Sequence, residues 1–267
     1  MDVRDKVVVV TGGGRGIGRA LCERFAAAGA ATTVVADIDG GPADEVATAI
    51  PGGMAAVCDV GRRDQLEKLI DRVEREAGPI GLFCSNAAIF GGGGSAGLSG
   101  TPDDTWDASW RVNVMAHVWA AARLVPAMTT RGGGYFLQVL SAAGLITGPS
   151  ALSYTVTKHA GVGFAEWLAI NHGRDGIGVS CLCPTAVATP HFLASQAAAD
   201  GANAGIMRNI GLVHTPEEVA EAALDGLAKE QFLILPNPRV GTSFLHKAED
   251  YDRWLAYTRD RVAGLKS

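Results

Sequence analysis

The chain has no run of basic residues. Lys and Arg total 23 against 28 Asp and Glu, a formal net charge of −5 over 267 residues. That balance excludes the electrostatic footprint of a nucleic-acid or anionic-membrane surface. No apolar stretch approaches the roughly 20 residues that a helical bilayer span needs. Cysteine is scarce: Cys22, Cys58, Cys84, Cys181 and Cys183 include no C-x-x-C pair and no Cys/His zinc spacing. Four of the five lie in or at the end of apolar runs, so they read as buried, reduced thiols of a cytoplasmic protein, and no metal site is expected. Internal repeats, low-complexity tails and linkers are also missing, so residues 1–267 are expected to form one domain. The N-terminus passes from charges through a short apolar run into a glycine turn, which reads as a first strand and not as a secretory leader.

With 48% hydrophobic residues, the chain can build a sizeable core. Short β-branched runs alternate with helical patterns along its length. Strands are expected at Lys6–Thr11, Ala31–Ala36, Gly53–Cys58, Ile80–Cys84, Tyr135–Leu140, Gly178–Cys183 and Phe232–Leu235. Helices are expected at Arg19–Ala28, Gly41–Ile50, Arg62–Ala77, Trp106–Thr129, Ser153–Asn171, Pro216–Leu227 and Ser243–Lys266, and residues 192–214 read as irregular. Thr215-Pro216-Glu217-Glu218 is a helix N-terminal signature. This alternation implies an α/β fold with one doubly wound parallel sheet, a Rossmann arrangement with helices on both faces.

The first strand runs into Gly12-Gly13-Gly14-Arg15-Gly16-Ile17-Gly18 and then into a helix. Glycines allow a tight turn and close backbone approach, and the helix N-terminus offers free N–H groups to a pyrophosphate. Asp37, at the end of the second strand, is placed to accept hydrogen bonds from an adenosine ribose diol, with Ile38 beside it. A carboxylate there repels a 2′-phosphate and argues for NAD over NADP. Arg15 pulls the other way, but Asp37 outweighs it because Ile38 is not basic. The plainer reading of Asp37 is a strand-end cap leading into Asp39-Gly40-Gly41.

A second constellation follows the fifth strand. Ser141 ends that strand, Tyr154 comes thirteen residues later and Lys158 four residues after that. The spacing of four puts the phenol and the ammonium one turn apart on one helix face. A nearby cation favours the phenolate, which makes a poor base of pKa about 10 a useful one. Taken alone, a Tyr-x-x-x-Lys pair is usually a half-buried aromatic beside a solvated lysine. Asn113, among apolar neighbours, must find hydrogen-bond partners, either a neighbouring backbone group or a water in a relay.

These residues together resemble the short-chain dehydrogenase/reductase family over roughly residues 5–236. The carrying motifs are Thr11-Gly12-x-x-x-Gly16-Ile17-Gly18, Asp59-Val60, Asn86-Ala87-Ala88, Asn113, Ser141, Tyr154-x-x-x-Lys158 and Pro184…Thr189. The resemblance implies a seven-stranded sheet of order 3-2-1-4-5-6-7. It implies a catalytic set in which Tyr154 is the general base or acid and Lys158 lowers its pKa and bonds the nicotinamide ribose. Ser141 would orient the substrate oxygen, and Asn113 would hold a water. Asp59 and Val60 would flank the adenine, while Val187 and Thr189 would fix the carboxamide. Two departures stand out: Ala88 where the family carries glycine, and Pro184-Thr185 where it carries Pro-Gly. Thr185 lies beside the expected substrate position.

The implied activity is NAD(H)-dependent interconversion of a moderately apolar secondary alcohol and its ketone. Residues 190–214 would form a substrate lid, with Leu193, Ile206 and Met207 on it and Arg208 its lone arginine. Ala143, Leu145, Thr185 and Phe192 would line the substrate site with Ser141 and Tyr154. Phe90–Gly100 reads as a flexible connection or as one wall of the cleft. The competing readings are a catalytically silent cofactor-binding module, a non-redox relative such as a dehalogenase, and an NADP-dependent ketone reductase. By resemblance the protein is expected to be a homotetramer, with a dimer next. On the C-terminal extension, residues 243–267, Trp254 and Tyr257 would anchor the helix, cover the cleft or meet a neighbouring subunit.

Overall fold

The computed structural model describes residues 1–90, 101–147, 152–197 and 212–266. Strands β1 (Val7–Thr11), β2 (Thr32–Asp37), β3 (Gly53–Val57), β4 (Ile80–Ser85), β5 (Gly134–Val139) and β6 (Ile177–Leu182) alternate with helices. The helices are α1 (Gly16–Ala27), α2 (Gly40–Ala49), α3 (Arg63–Glu76), α4 (Asp103–Trp110), α5 (Ala116–Thr130) and α6 (Leu152–His172). Beyond them come β7 (Ala186–Val187), α7 (Pro190–Ala197), β8 (Val213–His214), α8 (Pro216–Ala228), β9 (Leu233–Ile234), α9 (Arg239–Glu249) and α10 (Tyr251–Lys266). The main sheet has seven parallel strands in the order β3-β2-β1-β4-β5-β6-β9. β9 is the seventh strand of the sequence reading, so the expected order stands.

Strand β1 shows why the sheet is covered on both sides. Side chains alternate along a strand. Val7 and Val9 join the core cluster holding Leu66, Ile70, Leu124, Met128 and Leu168 from α3, α5 and α6. Val8 and Val10 join the opposite cluster, with Leu21, Phe25, Val46, Val219 and Leu227 from α1, α2 and α8. A strand apolar from Val7 to Val10 therefore sits at the centre of a three-layer sandwich. The strands point their carboxyl ends to one edge, where Asp37 ends β2 and Gly12, Asn86, Ser141 and Pro184 follow β1, β4, β5 and β6.

Three expectations are corrected. The long helix over 106–129 is divided: α4 and α5 are joined by a π-helical turn, Arg111–Met115, which carries Asn113. The segment after residue 190 is not irregular throughout, because α7 forms within it and β8 returns to pair with β7 through Ala186↔Val213 and Val187↔His214. Ile206, Met207 and Arg208 lie outside the described residues. The C-terminal helix is two helices. Asp250 is extended and its carboxylate accepts from the N–H of Arg253 at 2.9 Å, so it ends α9 and caps α10. At α8 the expected signature is a reciprocal capping box. Thr215 Oγ1 accepts from the Glu218 N–H at 3.2 Å and Glu218 returns a carboxylate to the Thr215 N–H at 3.0 Å. No described helix is long and apolar enough to cross a membrane.

Candidate active site

The glycine turn is drawn tight by its neighbours. Gly12 and Gly16 have φ of +63° and +53°, in the left-handed region that glycine adopts without penalty. A Cβ on Gly18 would stand 1.9 Å from the Gly12 carbonyl oxygen, which admits no side chain there. Asn86 fastens the exit of β4 to this turn. Its Nδ2 donates to the carbonyls of Thr11 and Gly12 at 2.8 and 3.1 Å. Thr11 Oγ1 accepts in turn from the N–H groups of Asn86 and Ala87. Ala88, where the family carries glycine, is exposed.

Asp37 is nearly buried and already partly engaged. One oxygen accepts from the Gly14 N–H at 2.9 Å and the other from the Asp39 N–H at 3.1 Å. The plain cap reading is thus realised, and each oxygen keeps a further lone pair for a ligand. Arg15 Nη2 pairs with Asp39 at 2.8 Å, so its guanidinium is answered by a carboxylate of the chain itself. Ile38 is exposed, and Val60 is buried with Asp59 beside it. Asp59 Oδ1 accepts from the Gly61 N–H at 2.9 Å.

The second half of the site descends from β5 and β6. Ser141 opens a tight turn, Ala142–Gly144, and accepts from the Ala143 N–H at 3.1 Å. Its hydroxyl lies beside the Tyr154 phenol, which α6 presents. Lys158, one turn further, is fully buried. Its Nζ donates to the Val139 carbonyl at 3.2 Å and lies 5.4 Å from the Tyr154 ring centroid. Burial opposes both charges. The phenol is pushed up to about 12 by desolvation, against the Ser141 hydrogen bond that favours the phenolate. Desolvation lowers the ammonium to about 8. The expected lowering of the Tyr154 pKa by Lys158 is therefore not the dominant influence, because the same burial that joins them penalises each ion.

Asn113 saturates its amide locally. Nδ2 donates to the Ile89 carbonyl at 2.9 Å and to Thr157 Oγ1 at 3.1 Å, and Oδ1 accepts from the Ile89 N–H at 2.9 Å. Of its two sequence readings, the side chain realises the backbone partner, and it fixes the chain just before Phe90. The Phe90 ring stacks on the Tyr154 ring and meets His191 of α7 at 5.6 Å. His191 carried no signal in the sequence, since a lone histidine after Pro190 matches no motif.

The remaining residues fall around this pair. Ala143 and Phe192 are half-buried, and the Leu145 side chain packs into the core. Thr189 approaches the glycine turn closely enough that a Cβ on Gly16 would meet its methyl at 2.9 Å. Val187 is buried, and its carbonyl accepts from the Thr189 N–H. The Thr185 hydroxyl is buried with no hydrogen-bond partner among the described residues. Such a group is costly unless a ligand or water satisfies it. The turn closed to side chains, the free first-turn N–H groups of α1, the carboxylate of Asp37 and the orphaned hydroxyl of Thr185 together fit a nicotinamide dinucleotide. Among the described residues, no cluster of His, Cys, Asp or Glu could hold a metal ion.

Comparison with known proteins agrees with this geometry. The family model for short chain dehydrogenases matches residues 6–200. The maize sex determination protein tasselseed-2 is 32% identical over 263 residues, covering 94% of this chain and 78% of its own. Mouse estradiol 17-beta-dehydrogenase 11 is 30% identical over 243 residues, 88% of this chain and 76% of its own. Among solved structures, a short-chain dehydrogenase/reductase from Burkholderia phymatum in complex with NAD superposes with a TM-score of 0.82 at 26% identity, covering 94% of this chain and 96% of its own. The chain belongs to the short-chain dehydrogenase/reductase family. It is an oxidoreductase acting on CH–OH groups with NAD(P).

Proposed function

We propose that the protein interconverts a moderately apolar secondary alcohol and its ketone with NAD(H), using Tyr154 as the proton-transfer group. The observation that carries this reading is the meeting of the Ser141 and Tyr154 hydroxyls at the carboxyl edge of the sheet, with the Lys158 ammonium 5.4 Å from the phenol ring. Two hydroxyls converging on one point can hold a single substrate oxygen. The bound nicotinamide supplies the hydride chemistry. In reduction, the neutral Tyr154 phenol donates its proton to the oxygen as the carbonyl becomes an alcohol, while Ser141 keeps that oxygen in place. In oxidation the phenol first gives up its proton to solvent, and the phenolate, whose charge Lys158 offsets, then takes the hydroxyl proton of the alcohol as the hydride leaves for the nicotinamide. Asn113 holds the Ile89 backbone, and with it the aromatic wall beside the phenol. The backbone of Val187, with Thr189, would orient the carboxamide end, and Thr185 would meet the substrate.

A hydroxysteroid-like substrate is the class we favour. Related proteins include the estradiol dehydrogenase and, at 30% identity, mouse epidermal retinol dehydrogenase 2. A 7α-hydroxysteroid dehydrogenase complexed with NADH and 7-oxo glycochenodeoxycholic acid has a TM-score of 0.77 at 25% identity, covering 87% of this chain and 93% of its own. The Phe90, His191 and Phe192 rings supply an aromatic rim suited to a flat, rigid substrate. Asp37 and the Arg15–Asp39 pair support NAD over NADP. Exposed Trp110 on α4 and Val156, Trp167 and Ile170 on α6 support a homotetramer, with a dimer next. Five buried, unpaired cysteines support a reducing, cytoplasmic setting.

The test is a spectrophotometric screen of NAD and NADP against estradiol, 7α-hydroxy bile acids, retinol, 1-phenylethanol and cyclohexanol. Turnover with NAD that disappears in Tyr154→Phe is the expected result. Full activity in Tyr154→Phe would overturn the assignment, and turnover with NADP alone would overturn the cofactor preference.

A further inference from the structure

The C-terminal helices reach the serine turn through one side chain. Lys247, in the last turn of α9, is 6% exposed. Its Nζ donates to the carbonyl of Leu145 at 2.8 Å, across 102 residues of sequence. The rings of Tyr251 and Trp254, from the first turns of α10, face the same nitrogen with their centroids 5.4 and 5.2 Å away. A buried ammonium is tolerated only where its donors are satisfied and its charge is answered. Here a carbonyl takes one donor and two aromatic rings answer the charge.

Leu145 closes the turn that Ser141 opens. Its N–H donates to the Ala142 carbonyl at 3.0 Å, and the Ile146 N–H donates to the same oxygen at 2.9 Å. The Gly144 N–H donates to the Ser141 carbonyl at 2.9 Å. On the other side the turn lies directly against α6, where a Cβ on Gly144 would stand 2.7 Å from the Lys158 carbonyl oxygen. The turn is thus a short rigid bracket. Its first residue faces Tyr154, its floor is the helix of Tyr154 and Lys158, and its far end is held by Lys247.

We propose that Lys247 is a positioning residue for the reaction, acting through Leu145 and the turn on the Ser141 hydroxyl. The split C-terminal segment is then part of the active site's support, and Tyr251 and Trp254 serve to keep the Lys247 ammonium in place. This inference rests on the reading of Ser141 and Tyr154 as the reacting pair.

The experiment compares wild type with Lys247→Met, Lys247→Arg, Trp254→Leu, Ser141→Ala and the double variant Lys247→Met/Ser141→Ala. The probes are NADH binding, followed by its fluorescence, and turnover of whichever alcohol of the screen wild type oxidises. Amide hydrogen exchange over residues 141–147 is read in parallel. Lys247→Met is expected to lower kcat about tenfold and to leave the NADH Kd within about twofold, since misplacement of a reacting group costs rate more than cofactor affinity. Exchange in the turn accelerates, Lys247→Arg restores much of kcat, and Trp254→Leu shows a smaller loss in the same direction. In the Ser141→Ala background the Lys247→Met change costs nothing further, because non-additivity marks two residues acting as a unit. Unchanged kcat and unchanged exchange in Lys247→Met, or a loss just as large without Ser141, would overturn the proposal while leaving the Ser141–Tyr154 reading intact. If Ser141→Ala and Tyr154→Phe keep full turnover, that reading fails and the proposal with it. Should Lys247→Met not fold, Trp254→Leu carries the same comparison.

Discussion

The ring of Phe90 lies flat on the ring of Tyr154, with centroids 4.1 Å apart and planes within 11° of parallel. The phenol can therefore be approached along its oxygen-bearing edge but not through that face. Phe90 is itself half exposed and held by the Asn113 grip on Ile89. It fixes the plane of the Tyr154 ring and, in the proposed reaction, would form a wall beside the substrate.

Phe90→Ala should therefore alter both selectivity and rate. A flat substrate lying on the free face of the Phe90 ring would gain about 1 kcal/mol from a stacked contact. KM for a flat polycyclic alcohol is expected to rise roughly fivefold, while a small alcohol such as cyclohexanol changes little. Steady-state kinetics on both substrates checks this, and equal losses for the two would count against a wall.

Cofactor preference turns on two carboxylates. On the proposed NAD reading Asp37 would oppose a 2′-phosphate, and Asp39 pairs with the Arg15 guanidinium. Replacing Asp39 by Ala releases Arg15, and replacing Asp37 by Ser keeps a hydroxyl acceptor for the Gly14 N–H. The double variant is expected to shift kcat/KM toward NADP by about a hundredfold, since a like-charge clash costs several kcal/mol. Parallel NAD and NADP titrations measure it, and an unchanged ratio would remove Asp37 and Asp39 from the argument.

Lys158 costs the fold stability at neutral pH. Its folded pKa is near 8 against 10.5 for a free lysine. Between those values the unfolded chain binds more protons, so stability rises with pH from 8 to 10.5 and the full penalty is present below 8. Lys158→Met removes the penalty along with the hydrogen bond to Val139. The variant is expected to be inactive yet more stable at pH 7 by about 2 kcal/mol, or roughly 5 °C in Tm. Thermal melts from pH 7 to 10.5 should show that advantage shrinking as pH rises. A variant less stable at pH 7 would mean that the cation is repaid by contacts.

Much of the site was legible because its signals are local. The glycines between Gly12 and Gly18 must turn the chain from β1 into α1 whatever lies around them. Thr215 and Glu218 cap a helix by bonding to each other three residues apart. Tyr154 and Lys158 share a face through helical spacing alone. Other features left little mark on the sequence. Asp250 looks like any charged residue in a helical pattern until it caps α10. The π-helical turn at Arg111–Met115 has no compositional signature. β7 and β8 are two residues each and exist only because they pair with one another.

The sequence by itself determined the parallel α/β sheet, the glycine turn and the pairing of Tyr154 with Lys158, because each rests on periodicity or on contacts within one turn, while Asn113 and Ser141 joined that pair through the family resemblance. Only the tertiary structure decided what surrounds them: Arg15 against Asp39, Phe90 against Tyr154, Lys247 under the carbonyl of Leu145, and the balance of burial that sets the Tyr154 and Lys158 pKa values. Those are contacts between segments far apart in the chain, and desolvation depends on everything packed around a group, which no spacing of residues records.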